Sequence, residues 1–172
     1  MSSALRVRRS VAADWPALKA LRLAALLDAP TAFGVSHAEA LHNPDSQWLA
    51  RAAGSGPGTF FMAFDGEQAI GMAAAVRAGD AHIGLIAMWV APGWRGGDHG
   101  VARRLVDAVK DHAAGAEITL EVAPTNLRAV AFYERQGFVF EEHTERLASH
   151  PDIELRRMRH RGAGSASASG PA

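Results

Sequence analysis

The sequence predicts a mixed α/β fold, an α+β arrangement around a mixed sheet, and three observations carry that reading. Strand-like runs follow one another at 59–64, 68–77 and 81–90, joined by Asp65-Gly66 and Gly79-Asp80. An Asp-Gly turn between such runs is a strong hairpin signal, so the middle of the chain reads as an antiparallel meander. The third run, AHIGLIAMWV, is the most apolar and is therefore placed centrally; a glycine-rich turn, an amphipathic helix and a further strand (117–123) follow it as a β-α-β unit. No G-x-G-x-x-G follows the first strand, which argues against a doubly wound dinucleotide-binding fold.

The elements follow in order. Residues 4–9 alternate and read as the first strand. Asp14 can cap a helix with Pro16 in its first turn, where a missing N–H costs little. Leu18, Leu21 and Ala25 then share a face, and Ala29-Pro30 ends the helix. Residues 31–43 carry no decisive pattern. Asp45 or Ser46 caps a short helix bearing Trp48 and Leu49, closed by the glycines from Gly54 to Gly58. After the meander, Pro92 and Gly93 end the central strand. In the next helix Val101, Ala102, Leu105, Val106 and Val109 form the apolar face, opposite Arg103, Arg104, Asp107, Lys110 and Asp111, and Gly115 stops it. Residues 126–136 make a last helix, closed by Gly137 with Phe138 behind it. Two final strands, 138–143 and 152–159, flank His150-Pro151. One domain is expected over 1–160, followed by a disordered Gly/Ala/Ser tail over 161–172.

Bulk chemistry narrows the function. Lys plus Arg and Asp plus Glu both number 18, so no whole-molecule field attracts nucleic acid or an anionic membrane. Neither is an expected partner, and any anion site must be local. The chain has no cysteine, which excludes disulfides, thiolate metal sites and a cysteine nucleophile. No signal-like apolar stretch or run of the ~20 residues needed to span a bilayer is visible, and a cytoplasmic protein is expected. His37/His42 and His143/His150 lack convincing metal spacing, so no metal is expected. Ser36 and Ser46 lack the His-Asp partners of a hydrolase.

One local anion site stands out in RGGDHGVARRLV, residues 95–106. A helix N-terminus presents bare N–H groups and about half a positive charge. Gly96, Gly97 and Gly100 let a backbone approach an anion closely there, and Arg95, Arg103 and Arg104 add charge. The same residues also describe a glycine loop capping a helix with solvated arginines. Asp98 is an anion where a phosphate would sit, and His99 reads as a solvated loop residue or a phosphate contact.

Wider context favours the anion site. The run MWVAPGWRGGDHGVARRLV (88–106) resembles the acetyl-CoA-binding motif of the GCN5-related N-acetyltransferase (GNAT) superfamily. The run LEVAPTNLRAVAFYERQGF (120–138) resembles its second signature, carried by Leu120, Val122, Asn126, Ala129, Tyr133, Gly137 and Phe138. The match covers about residues 4–159 and departs from the family in the glycine turn: aligned on the helix, the family's Gln or Arg falls on Gly97, and aligned on Trp94-Arg95-Gly96, the favoured alignment, two residues are inserted before His99. The resemblance implies a sheet split between its fourth and fifth strands, flanked by about four helices. It implies transfer of the acetyl group of acetyl-CoA to a primary amine, of a small molecule, peptide or protein, in a direct ternary complex. Met88, Trp89 and Val90 would pair with pantetheine. Arg95, Gly96, Gly97, His99, Gly100, Val101, Ala102 and Arg103 would hold the pyrophosphate. Asn126 and Ala129 would flank the cofactor, with Tyr133 as general acid to its sulfur. Glu121 resembles the water-mediated base of the ribosomal-protein and peptide N-terminal branch; an exposed strand carboxylate is the other reading, and His82 is the second candidate. A non-catalytic CoA-binding sensor and an acyltransferase with a longer acyl donor are the alternatives. Dimers are common in the superfamily, and homodimer or monomer stays open.

Overall fold

The computed structural model describes residues 4–162. Its strands are β1 (Leu5–Arg9), β2 (Gly58–Asp65), β3 (Gln68–Arg77), β4 (His82–Val90), β5 (Glu117–Val122), β6 (Val139–Leu147) and β7 (His150–His160). Its helices are α1 (Trp15–Asp28), α2 (His37–Leu41), α3 (Asp45–Ala53), α4 (Val101–Ala113) and α5 (Leu127–Arg135). The strands form one sheet in the order β1-β2-β3-β4-β5-β7-β6, antiparallel except for β4 against β5. The expected meander and central strand are both present. The tail expected to be disordered lies, from residue 163 onward, outside the described residues.

Each face of the sheet buries its own core. Leu105, Val106 and Val109 of α4 pack with Ile118, Leu120, Phe138 and Met158 on one face. On the other, Leu18, Leu21, Ala25 and Leu26 of α1 and Trp48 and Ala52 of α3 meet Met62, Phe64, Met72 and Trp89. The i, i+3, i+7 stripe of α1 is thus its buried face.

The split that positions the site has a local cause. β4 and β5 pair only at His82–Glu117, Ile83–Ile118 and Gly84–Thr119. Ala87 takes a left-handed backbone at φ 54°, and the register of β3 on β4 shifts between Met72 and Ala74. An extra residue in one strand bends it and flips its alternation. Before the bulge Ile83 and Leu85 face the α4 core; after it Met88 and Val90 do, and Trp89 turns to the α1 core. The bend carries β4 away from β5 and leaves its later backbone unpaired on that side.

Three details differ from the sequence reading. Residues 37–41 form α2, whose Ser36 and Glu39 make a reciprocal capping box. Pro44, not Asp45 or Ser46, occupies the N-cap of α3. The last hairpin is longer than expected, with β6 reaching Leu147 and β7 starting at His150. Its outer half is charged, so no apolar alternation marked it. Pro151 sits inside β7 beside a register irregularity near the hairpin turn, a place where a missing N–H is tolerated.

Candidate active site

A cleft of about 790 Å³ runs through the split. Its walls are the end of β4, the glycine turn, the first turn of α4 and one side of α5. Met88, Trp89, Val90, Arg95, Gly96, Gly97, His99, Gly100, Ala102, Arg103, Asn126, Ala129 and Tyr133 all line it. Of the sequence-predicted cofactor residues only Val101 does not; its side chain is buried in the α4 core. Gly100 caps α4 in a left-handed conformation at φ 63°, with no side chain accepting from the first helical N–H groups. Asp98 also lines the cleft, exposed and paired with no arginine among the described residues. His99 packs on Trp94, with ring centroids 5.1 Å apart.

Sequence reasoning missed Arg128, Phe132 and Arg135, which line the cleft from α5 at i, i+4 and i+7. That spacing was legible once Asn126 and Tyr133 had been placed on the same helix. With Arg95, Arg103 and Arg104 they make a basic wall in a chain of zero net charge.

Arg95 does not point freely into this space. Its guanidinium pairs with Asp28 at the end of α1, and its Nε donates to the Val90 carbonyl at 2.8 Å. The Trp89 indole donates to the same Asp28 carboxylate at 2.9 Å. Asp28 thus ties the splayed end of β4 to α1. The Trp89 indole N–H, then the Arg95 guanidinium, hold the Asp28 carboxyl below its ordinary value. A depressed carboxylate stabilises the fold above its unfolded pKa of ~3.9 and loses that effect as pH falls through the lower folded value. Asp28→Asn is expected to cost up to about 1 kcal/mol at neutral pH, because the pair is partly exposed and screened by solvent. In thermal melts the gap between wild type and variant should close below about pH 4; a gap independent of pH would refute the charged brace.

Tyr133 stands on α5 with its ring edge-on to Phe132 and Phe138, centroids 5.1 and 5.7 Å away. Its hydroxyl has no protein partner among the described residues, and burial holds the phenol well above its ordinary pKa, so it stays protonated. The Asn126 carbonyl oxygen caps α5 by accepting from the Ala129 N–H at 3.2 Å, leaving its amide N–H groups free to donate into the cleft.

Glu121 lies elsewhere. Leu120 and Val122 face the α4 core, so the Glu121 side chain leaves the opposite face of β5 and is not part of the cleft wall. Its Oε1 accepts from Arg157 Nε at 2.7 Å, and its Oε2 is buried with no hydrogen-bond partner among the described residues. Burial raises its pKa against the lowering by Arg157; Glu145 raises it further and His143 lowers it. Ligand atoms of Glu121, His143 and Glu145 lie within 4.8 Å of one another, a grouping that the histidine spacings did not suggest. His82 sits at the closed end of β4, where its Nε2 meets Glu117 at 2.9 Å, away from the cleft. Two titratable groups therefore lie on opposite sides of one split sheet, a proton donor over the cleft and a half-bare carboxylate behind it.

Known proteins share this architecture. A family model described as Acetyltransferase (GNAT) family matches residues 21–138. A GNAT-family acetyltransferase from Staphylococcus aureus superposes with a TM-score of 0.70 at 17% identity, covering 92% of this chain and 99% of that one. A Salmonella typhimurium protein solved with its cofactor acetyl-CoA gives 0.72 at 15% identity, covering 95% and 97%. The Arabidopsis thaliana protein NAA60, in complex with a bisubstrate analogue, gives 0.69 at 15% identity, covering 94% and 100%. No curated protein matches the chain. No helix among the described residues is long and apolar enough to cross a membrane.

Proposed function

The chain belongs to the GNAT acetyltransferase family, and from that premise we propose that it moves the acetyl group of acetyl-CoA to a primary amine in a ternary complex. The cleft supports this reading: its volume lies within the ~300–1,000 Å³ of small-molecule sites. The bare N–H groups at the start of α4 suit a pyrophosphate, with Gly100 and Ala102 adding no bulk and Arg103 adding charge. Arg128 and Arg135 suit a further phosphate. Backbone groups of Met88 to Val90, freed by the bulge, suit an extended amide chain as a strand edge does.

Bound acetyl-CoA supplies an activated acyl group: a C–N bond forms as the C–S bond breaks, one proton leaves the amine and one reaches the sulfur. Freeing the lone pair of an amine of pKa ~10.4 at pH 7 costs roughly 4–5 kcal/mol. Glu121, directly or through a water, is the assigned base, because its Oε2 is bare and its pKa is raised toward the working range. Tyr133 is the assigned acid, since its hydroxyl faces no competing protein acceptor. The observation that carries the proposal is this division of acid and base across the split.

The base assignment gives a pH signature. The wild-type rate is expected to fall as pH drops through the raised Glu121 value, above the ordinary ~4.3. Glu121→Gln should slow turnover ~10²-fold and flatten that acid limb. Initial-rate lines for acetyl-CoA and amine should intersect, as in ternary-complex transfer; parallel lines, or an unchanged acid limb in Glu121→Gln, would count against the mechanism.

A further inference from the structure

A second cavity, about 190 Å³, lies on the α1 side of the sheet among α1, α2, α3 and the β4 bulge. Arg22, Arg51, Asn43 and Trp48 supply its polar groups, and among the described residues no carboxylate lines it. Arg22 Nη1 and Trp48 Nε1 are shielded from solvent and donate to nothing among the described residues. Arg22 and Arg51 form no ion pair among the described residues. Each stacks instead on a ring, Arg22 on Phe33 at 4.8 Å and Arg51 on Trp48 at 4.7 Å. Burial and then repulsion from Arg51 lower the Arg22 guanidinium to about 10.

Buried donors without acceptors and like charges without a counter-ion are both costly. An anion in the cavity would relieve both at once, accepting the bare N–H groups and offsetting the repulsion. Size restricts which anion: the volume falls below the ~300 Å³ of ordinary ligand pockets, so the cavity takes a head group rather than a whole ligand. The remaining wall is apolar, including Phe60, Val76 and Ile86, which suits the carbon stem of a planar carboxylate. Position relates the cavity to the chemistry. Ala87 lines it while the next residue, Met88, lines the cofactor cleft, and Phe33 lines the cleft while carrying Arg22 on its ring. The two cavities thus flank the same bulge of β4 from opposite faces of the sheet, beside the split that joins those faces.

We propose that Arg22 and Arg51 hold the carboxylate of a small amine acceptor, making the substrate class a carboxylate-bearing amine of amino-acid size rather than a protein. This rests on the acetyl-transfer reading and adds its acceptor. The carboxylate is a handle and takes no part in bond making.

The test uses matched pairs: the common amino acids, β-alanine and 4-aminobutyrate, each against its primary amide, with O-phosphoethanolamine as a phosphate arm. Release of CoA, thermal melts with and without CoA, and direct titration with acetyl-CoA are read on wild type, Arg22→Met and Arg51→Met. Amides hold a less basic, more reactive amine, so the comparison is biased against the proposal. At least one acid should exceed its amide about 10-fold in kcat/KM and raise the melting temperature further. Both preferences should vanish in each variant, with acetyl-CoA affinity kept within about two-fold. Methionine keeps the stem, and loss of a desolvated charge leaves the fold intact. The proposal is overturned if no acid exceeds its amide in either readout, if the preference survives in both variants, or if phosphoethanolamine surpasses every acid. Failure of wild type to bind acetyl-CoA would overturn the transfer reading instead, and the melts without CoA would still decide the carboxylate site.

Discussion

Ala102→Glu is expected to stabilise the protein slightly while sharply weakening its binding of acetyl-CoA. Ala102 is the second residue of α4 and lines the cleft, half-buried at the edge of the α4 core. A carboxylate in the first turn of a helix interacts favourably with the helix dipole, by about 0.3–1 kcal/mol. The same carboxylate fills the cradle assigned to the pyrophosphate and repels it at short range. Affinity should drop at least ~100-fold, about 2.7 kcal/mol. Opposite signs in the melt and the titration exclude misfolding as the cause. Unchanged affinity would move the phosphates off this helix.

Tyr133→Phe separates chemistry from binding. Phenylalanine keeps the edge-on contacts to Phe132 and Phe138, and the lost hydroxyl has no protein partner, so stability should change little. General acid catalysis contributes about 10²–10⁴ in rate, and kcat should fall ~10²-fold with acetyl-CoA affinity nearly unchanged. Because burial keeps the phenol protonated, its ionisation should not appear in the wild-type pH profile up to pH ~10. An unaltered kcat would remove the acid role from Tyr133 and leave proton delivery to water.

Much of this arrangement was legible because it rests on local patterns. Asp65-Gly66 and Gly79-Asp80 set the meander, and the apolar stripe from Val101 to Val109 set the orientation of α4. The two motif runs place their residues around one cleft because each straddles a strand end and a helix start. Features that depend on long-range contacts left no such trace. Ala87 is an ordinary residue in an apolar run, and only the sheet around it dictates its left-handed backbone. Asp28 meets Arg95 across a sequence separation of 67 residues. Arg95 lines the cleft as its charge and the motif led one to expect, but its pairing with the carboxylate at the end of α1 left no trace in the sequence. β6 escaped recognition beyond residue 143 because Thr144, Glu145 and Arg146 are polar and exposed, so no apolar face alternates there. The capping box of Ser36 and Glu39 was present in the sequence, but it starts a helix too short to show a period.

The central claim is that the split sheet and the bare start of α4 form an acetyl-CoA site. Isothermal titration of the wild-type protein with acetyl-CoA tests it most directly. The account predicts one saturable site per chain with a dissociation constant well below ~1 mM, weakened as salt is raised because arginines and a helix N-terminus face the phosphates. Absence of binding heat at millimolar acetyl-CoA, across temperatures, would contradict it.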